Sequence, residues 1–197
     1  NSVAYRDWVI RAYNQNLRYD EFVRYQLAGD LFPDASSDQL IASGFNRLHL
    51  IIDVGTALPE ESFFKNVTDR VTAVGTAFMG MTVQCAACHD HKYDPITQKD
   101  YYSLFAFFNN IDAKPETERG LKNGLQPPIA SVPTPDQKKS LDELGAKMSE
   151  VESQINNQNN SEELLSELQE KLKSLKGERD QLEKQIPMAM VMRERKE

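Results

Sequence analysis

The stretch VQCAACHDHKYDP, residues 83–95, holds both cysteines of the 197-residue chain and two of its three histidines. Within it, Cys85-Ala86-Ala87-Cys88-His89 sets two thiols three positions apart with an imidazole directly after the second. Covalent attachment of a c-type haem needs this pattern: the thiols reach the two vinyl groups and the next side chain turns a nitrogen to the iron. Cys85, Cys88 and His89 are then the attachment and proximal-ligand set. His91 and Lys92 join them at the cofactor, Lys92 by offsetting a propionate, and Asp90 is expected to take the other imidazole hydrogen. His49 is the leading candidate for the far side of the iron, because it is distant in sequence and free to arrive from another helix. Met79 and Met81 are weaker alternatives, lying so few residues before Cys85 that reach around the ring is difficult. A second strong ligand favours electron transfer, whereas an open face favours redox catalysis. Zinc is the rival cofactor: Cys85, Cys88, His49 and either His89 or His91 make a Cys2His2 set. A disulfide across two intervening residues would restrain the unfolded chain little.

The elements that must position these residues read as helices. YRDWVIRAYNQN gathers Tyr5, Trp8, Val9, Ala12 and Tyr13 on one face, and YDEFVRYQLAGDL gathers Phe22, Val23, Gln26 and Leu27. Ser36 or Ser37 can cap SDQLIASGFNRL, and Pro59-Glu60-Glu61 opens PEESFFKNVTDRVTAVGTAFMG with acidic groups that suit the helix dipole. Thr97 can cap QKDYYSLFAFFNN, whose stripe of Tyr101, Leu104, Phe105 and Phe108 reads as core before it reads as cofactor wall. The fold class expected is mainly α, with a helical haem-binding domain over 1–112.

Residues 113–134 form a Pro-rich linker with too many breakers for regular structure. Thr134-Pro135-Asp136-Gln137 then starts a helix. Leu141, Leu144, Met148, Val151 and Ile155 step by three and four; Leu165, Leu168, Leu172, Leu175, Arg179, Leu182 and Ile186 resume the steps after NNQNN. An antiparallel coiled-coil hairpin over 135–186, paired within one chain, follows. Pro187 ends it, and within 187–197 the run MAMVMRE alternates as the start of a strand whose sheet partners belong to a downstream domain.

A net charge of −7 with no clustered Lys and Arg face argues against nucleic acid as a partner. No apolar run is long enough for a membrane span. The opening at Asn1 and the close at MRERKE suggest a piece of a longer chain.

YRDWVIRAYNQNLRYDEFVRYQLAGDLFP, GFNRLH, DRVTAVGTAFMGMTVQCAACHDHKYDPITQKDYYSLFAFFNN and PMAMVMRERKE together resemble the central domain of the planctomycete cytochrome c-type domain proteins. The resemblance implies a fragment of a large exported, periplasmic or otherwise extracytoplasmic protein, with an upstream domain carrying its own Cys-x-x-Cys-His and a further domain downstream. It places Cys85, Cys88 and His89 on the haem-attachment motif, His91 just after it, and His49 ahead of a turn that reads Asp53-Val54-Gly55 here. Three functions stay open: electron transfer with a redox partner protein or the upstream haem domain, a haem redox enzyme linked to polysaccharide breakdown, and a structural zinc or interaction module.

Overall fold

The computed structural model describes residues 2–49, 58–111, 125–156 and 162–195. The turn at Asp53-Val54-Gly55 and most of the expected linker lie outside them. The chain is mainly helical and divides into two compact units, Asn1–Ala130 with Ala189–Glu197, and Ser131–Met188.

In the first unit, α1 (Val3–Asn14) buries Trp8 and Ala12, while Tyr13, expected on the same face, is 72% exposed. α2 (Tyr19–Ala28) stacks Phe22 on Trp8 at 5.5 Å between ring centres. α3 (Ser37–Ala42) starts at a capping box between Ser36 and Gln39, so Ser36 is the cap. It is shorter than its periodicity suggests, because the chain tightens into a 3-10 turn over Ser43–Arg47. Gly44 in that turn passes so close to the Met190 carbonyl that a side chain there would press on it.

The core is built on α4 (Pro59–Val74), where Val67, Val71 and Val74 recur at helical spacing and are almost wholly buried. Val83, Ala86, Ile111 and Met192 close over them, with Tyr101 and Phe108 from α5 (Gln98–Asn109). Leu104 and Phe105 of α5 pack on the same cluster, so the aromatic stripe is core, as its spacing suggested. Each such side chain contributes roughly 1.5–3 kcal/mol by leaving water.

Four polar side chains are buried beside this core and tie distant segments together. Asn46 Nδ2 donates to the Gln26 carbonyl at 2.8 Å, and Arg70 Nε donates to the Asn46 carbonyl at 2.7 Å. Arg47, 2% exposed, donates from Nη1 to the carbonyls of Pro128 and Val191 and from Nη2 to those of Gln126 and Pro127. One guanidinium therefore gathers residues 126–128 and 191 onto the turn at Ser43–Arg47. The Met192 N–H adds a 3.0 Å bond to Ser43 Oγ.

β1 (Ile129–Ser131) and β2 (Met188–Met190) form a two-stranded sheet. The Val132 N–H donates to the Pro187 carbonyl and the Val191 N–H to the Pro128 carbonyl, an antiparallel register because partners rise on one strand as they fall on the other. This corrects two expectations. The strand at Met188 finds its neighbour within this chain, and that neighbour sits inside the stretch expected to be an irregular linker. Alternation declares a strand without naming its partner.

The second unit is a helical hairpin of α6 (Pro135–Ile155) and α7 (Glu162–Gln185). Thr134 and Gln137 form the capping box that the sequence announces, with Thr134 Oγ1 accepting from Gln137 N–H and Gln137 Oε1 accepting from Thr134 N–H. Met148, Val151, Leu168 and Leu175 fill the seam, flanked by Leu144, Ile155 and Leu172. Because so short a segment joins Ile155 to Glu162, helices packed along their length must run antiparallel. Arg179 falls at a seam position of the repeat but stays outside, donating to Glu183 at 2.7 Å.

Candidate functional site

The Cys-x-x-Cys-His segment is held at both ends. On its upstream side α4 runs into a single π turn, Gly75–Met79, and Gly80 takes a left-handed φ of 65° that turns the chain back. The Met81 N–H then donates to the Gly75 carbonyl at 3.0 Å. A Cβ at Gly75 would lie 2.5 Å from a Val83 methyl, so glycine is what lets the motif lie against the end of α4.

The motif itself is a 3-10 helix, Val83–Ala87, with Cys88 at its C-cap. In a 3-10 helix side chains three apart eclipse one another. Val83 and Ala86 make one such row, 3% and 0% exposed, sunk into the core. Cys85 and Cys88 make another, and both are exposed free thiols. With the apolar row buried, both cysteines are left to the exposed side of the segment. Nearby, burial raises the Tyr101 phenol, with a smaller contribution from the Cys88 thiol.

Downstream, residues 88–96 fold around His91. Its ring accepts at Nδ1 from the backbone N–H of Asp94 at 2.9 Å and of Tyr93 at 3.3 Å, and its Nε2 lies 3.1 Å from Thr82 Oγ1. Two N–H donors require a lone pair on Nδ1, so Nε2 carries the hydrogen and donates to Thr82. Asp94 Oδ2 also approaches Nδ1 at 3.3 Å, but an Nδ1–H pairing there would strand both backbone donors; the tautomer with Nδ1 as acceptor satisfies more groups. Both nitrogens of His91 thus serve the loop.

His89 is arranged differently. Its Nδ1–H donates to the Asp90 carbonyl at 2.7 Å, which leaves the ligating lone pair on Nε2 of an exposed ring. The acceptor is the Asp90 backbone, not its carboxylate as the sequence suggested. That carboxylate accepts instead from the Gln98 N–H at 2.8 Å, in the first turn of α5. Gln98 Nε2 and Tyr102 Oη each donate to the Ala87 carbonyl at 3.1 Å, so the start of α5 grips the motif from below. Thr97 and Asp100 close a capping box there.

The other candidate residues scatter. Lys92 lies 5.2 Å from the centre of the Tyr93 ring. His49 is 6% exposed, Met79 is 53% exposed, and Met81 packs on the hydrophobic core. Among the described residues no three of His, Cys, Asp and Glu assemble as a cage for a metal ion. The Cys2His2 set of Cys85, Cys88, His49 and His89 or His91 is accordingly not brought together. No described helix is long and apolar enough to cross a membrane. Sequence reasoning missed Thr82 and the Asp90 carbonyl, the partners that assign a tautomer to each imidazole; a threonine hydroxyl and a backbone group leave no signature in residue type.

Comparison with known proteins gives one family. PSCyt2, a protein of unknown function (DUF1549), matches residues 1–113, and the chain belongs to that family. This overturns the resemblance to planctomycete cytochrome c-type domain proteins: the matched family is uncharacterised, supplies no cytochrome c domain, and its match stops before the closing PMAMVMRERKE that the resemblance included. No curated protein and no solved structure matches the chain.

Proposed function

We propose that this PSCyt2 chain is a carrier for a covalently attached haem, held at its surface by Cys85, Cys88 and His89, and that it serves extracytoplasmic electron transfer. The observation that carries this reading is the Nδ1–H bond of His89 to the Asp90 carbonyl beside two exposed free thiols. A metal-binding imidazole characteristically gives its other N–H to such a carbonyl, which orients the ring and raises its basicity. When bound, the haem supplies one-electron chemistry that no side chain here provides. The chain's own part is to hold and orient. The buried row of Val83 and Ala86 anchors the segment, Gly75 admits it, and α5 fixes its carbonyls.

The space beneath the motif is filled by Val67, Val71, Val83, Ala86 and Tyr101, so a haem attached here lies at the surface and outside the core. Attachment at an exposed face suits transfer to a partner protein or to another domain.

The test is a pyridine haemochrome spectrum of protein matured alongside a c-type haem attachment system. A covalent c-type band is expected from the wild type and is lost in the Cys85→Ala, Cys88→Ala double variant. Because both thiols are exposed, that variant without haem should keep its stability within about 0.5 kcal/mol of the equally haem-free parent. Wild-type protein that leaves the maturation system without covalent pigment refutes the proposal.

A further inference from the structure

Before any haem is attached, the two cysteines are open to a second chemistry. Both are exposed free thiols, Cys85 within the 3-10 helix Val83–Ala87 and Cys88 at its C-cap. A 3-10 helix completes a turn in three residues and rises about 2.0 Å with each, so Cα atoms three positions apart lie one above the other at about 6 Å. A disulfide spans Cα separations of roughly 4.4–6.8 Å. The backbone therefore sets the pair within range of a bond that side-chain rotation can close without unwinding the segment.

The contacts behind the pair keep that backbone in place. Val83 and Ala86 are sunk in the core, and the Ala87 carbonyl accepts from Gln98 Nε2 and Tyr102 Oη at 3.1 Å. None of these contacts uses a sulfur atom, so a bond between the cysteines leaves them intact. The loop it closes holds only Ala86 and Ala87, and the entropy removed from the unfolded chain falls with loop length. An exposed disulfide that the fold does not need is of the labile, exchanging kind, not the structural kind.

We infer that the haem-free chain exchanges electrons with the disulfides and dithiols of other proteins through a reversible bond between Cys85 and Cys88. Oxidation runs in two steps. One cysteine, as its thiolate, attacks a partner disulfide, forming a mixed disulfide and releasing one partner thiolate; the other cysteine then attacks the chain's own sulfur in that mixed disulfide, closing the bond and releasing the second. Two electrons pass to the partner, and the two cysteine protons end on its two thiols. The reverse sequence reduces the chain. Because both thiols are exposed, a sulfur carried at the surface of another protein can reach them. Thioether attachment would consume the same sulfur atoms, so the exchange is a property of the chain without haem and requires nothing of the haem reading.

The probe is glutathione disulfide, added in excess to the whole haem-free chain after full reduction; remaining thiols are capped with iodoacetamide and the intact mass is read. The wild type should lose two hydrogens and take up no cap. The mixed glutathione disulfide should stay below about a tenth of the oxidised protein, because the second thiol of a close pair outcompetes glutathione from solution. Cys85→Ser and Cys88→Ser should each stop at one glutathione adduct. Reduced thioredoxin, a protein dithiol, should reopen the wild-type bond. Two glutathione adducts on the wild type, two thiols still capped, closure only after urea has unfolded the chain, or a closed bond that thioredoxin leaves intact overturns the inference. The assay contains no haem, so its failure leaves the haemochrome test of attachment untouched.

Discussion

Replacing Gly75 by alanine sets two magnitudes against each other. At an ordinary helical position the change adds about 1 kcal/mol of stability through the lower backbone entropy of alanine. Gly75 has helical φ and ψ of −57° and −47°, so the backbone raises no objection. The objection is spatial: the new Cβ would lie 2.5 and 2.8 Å from the two Val83 methyls and 3.2 Å from the Met81 carbonyl. Val83 is 3% exposed and, being β-branched, is stiff at χ1, so it yields little. Overpacking of this kind costs about 2–3 kcal/mol, which leaves a net loss of about 1–2 kcal/mol. Val83→Ala alone should cost about 2 kcal/mol, from two lost methyl groups and the space they leave. In the double variant the overlap is gone, so Gly75→Ala should then stabilise. The assay is urea unfolding followed by the single tryptophan, Trp8, which is buried in the first unit and reports it without the hairpin. Gly75→Ala should lower the midpoint by roughly 0.5–1 M, and raise it when made on the Val83→Ala background. The same sign in both backgrounds would refute the claim that close approach of the motif is what requires glycine.

Three further outcomes follow from the hydrogen bonds. His91→Ala removes the acceptor of the Asp94 and Tyr93 N–H groups and the donor to Thr82; a loss of about 2 kcal/mol is expected, with faster amide exchange at Asp94. Arg47→Met strips the carbonyls of Gln126, Pro127, Pro128 and Val191 of a shared donor, and should lower stability by about 3 kcal/mol or more in the same tryptophan assay. The Asp100 carboxyl is held below its usual range by hydrogen bonds from the Thr97 side chain and backbone. Its folded value is depressed, so its contribution is complete above the unfolded carboxylate range and disappears as pH falls through the folded value; amide exchange at the start of α5 should rise there, and less so in Thr97→Ala.

Local signals in the sequence were reliable where local physics decides. Thr134, Pro135 and Gln137 announced α6, Thr97 announced α5, and the three-and-four spacing of Met148, Val151, Leu168 and Leu175 announced the seam they fill. The Cys-x-x-Cys-His segment was equally plain, but its exposure was not. That depends on which row of a 3-10 helix is buried, and the register is set by Val83 and Ala86 meeting residues from α4 and α5. What escaped notice acts over long separations. Arg47 bonds to carbonyls some eighty and more residues away, and β2 pairs with a strand hidden among prolines. A cavity of about 260 Å³ in the first unit was invisible for the same reason, since its walls come from α2, α5 and residues beyond the hairpin. Periodicity describes one element at a time and has no access to such meetings.

The first unit is written in two pieces of chain, Asn1–Ala130 and Ala189–Glu197, with the hairpin between them. This bears on the order of events during synthesis. Met192 in the core, and the Val191 carbonyl that Arg47 holds, emerge from the ribosome only after α6 and α7 have done so. The hairpin depends on neighbours in sequence and forms early, whereas the unit that carries the motif must wait for its second piece. An unfolded spacer of roughly sixty residues would oppose that meeting, and collapsing it into a hairpin whose ends are bonded at Val132 and Pro187 removes about 2 kcal/mol of closure entropy. Weakening the hairpin's seam should therefore slow completion of the first unit, read as its refolding rate, even where the finished protein is scarcely less stable.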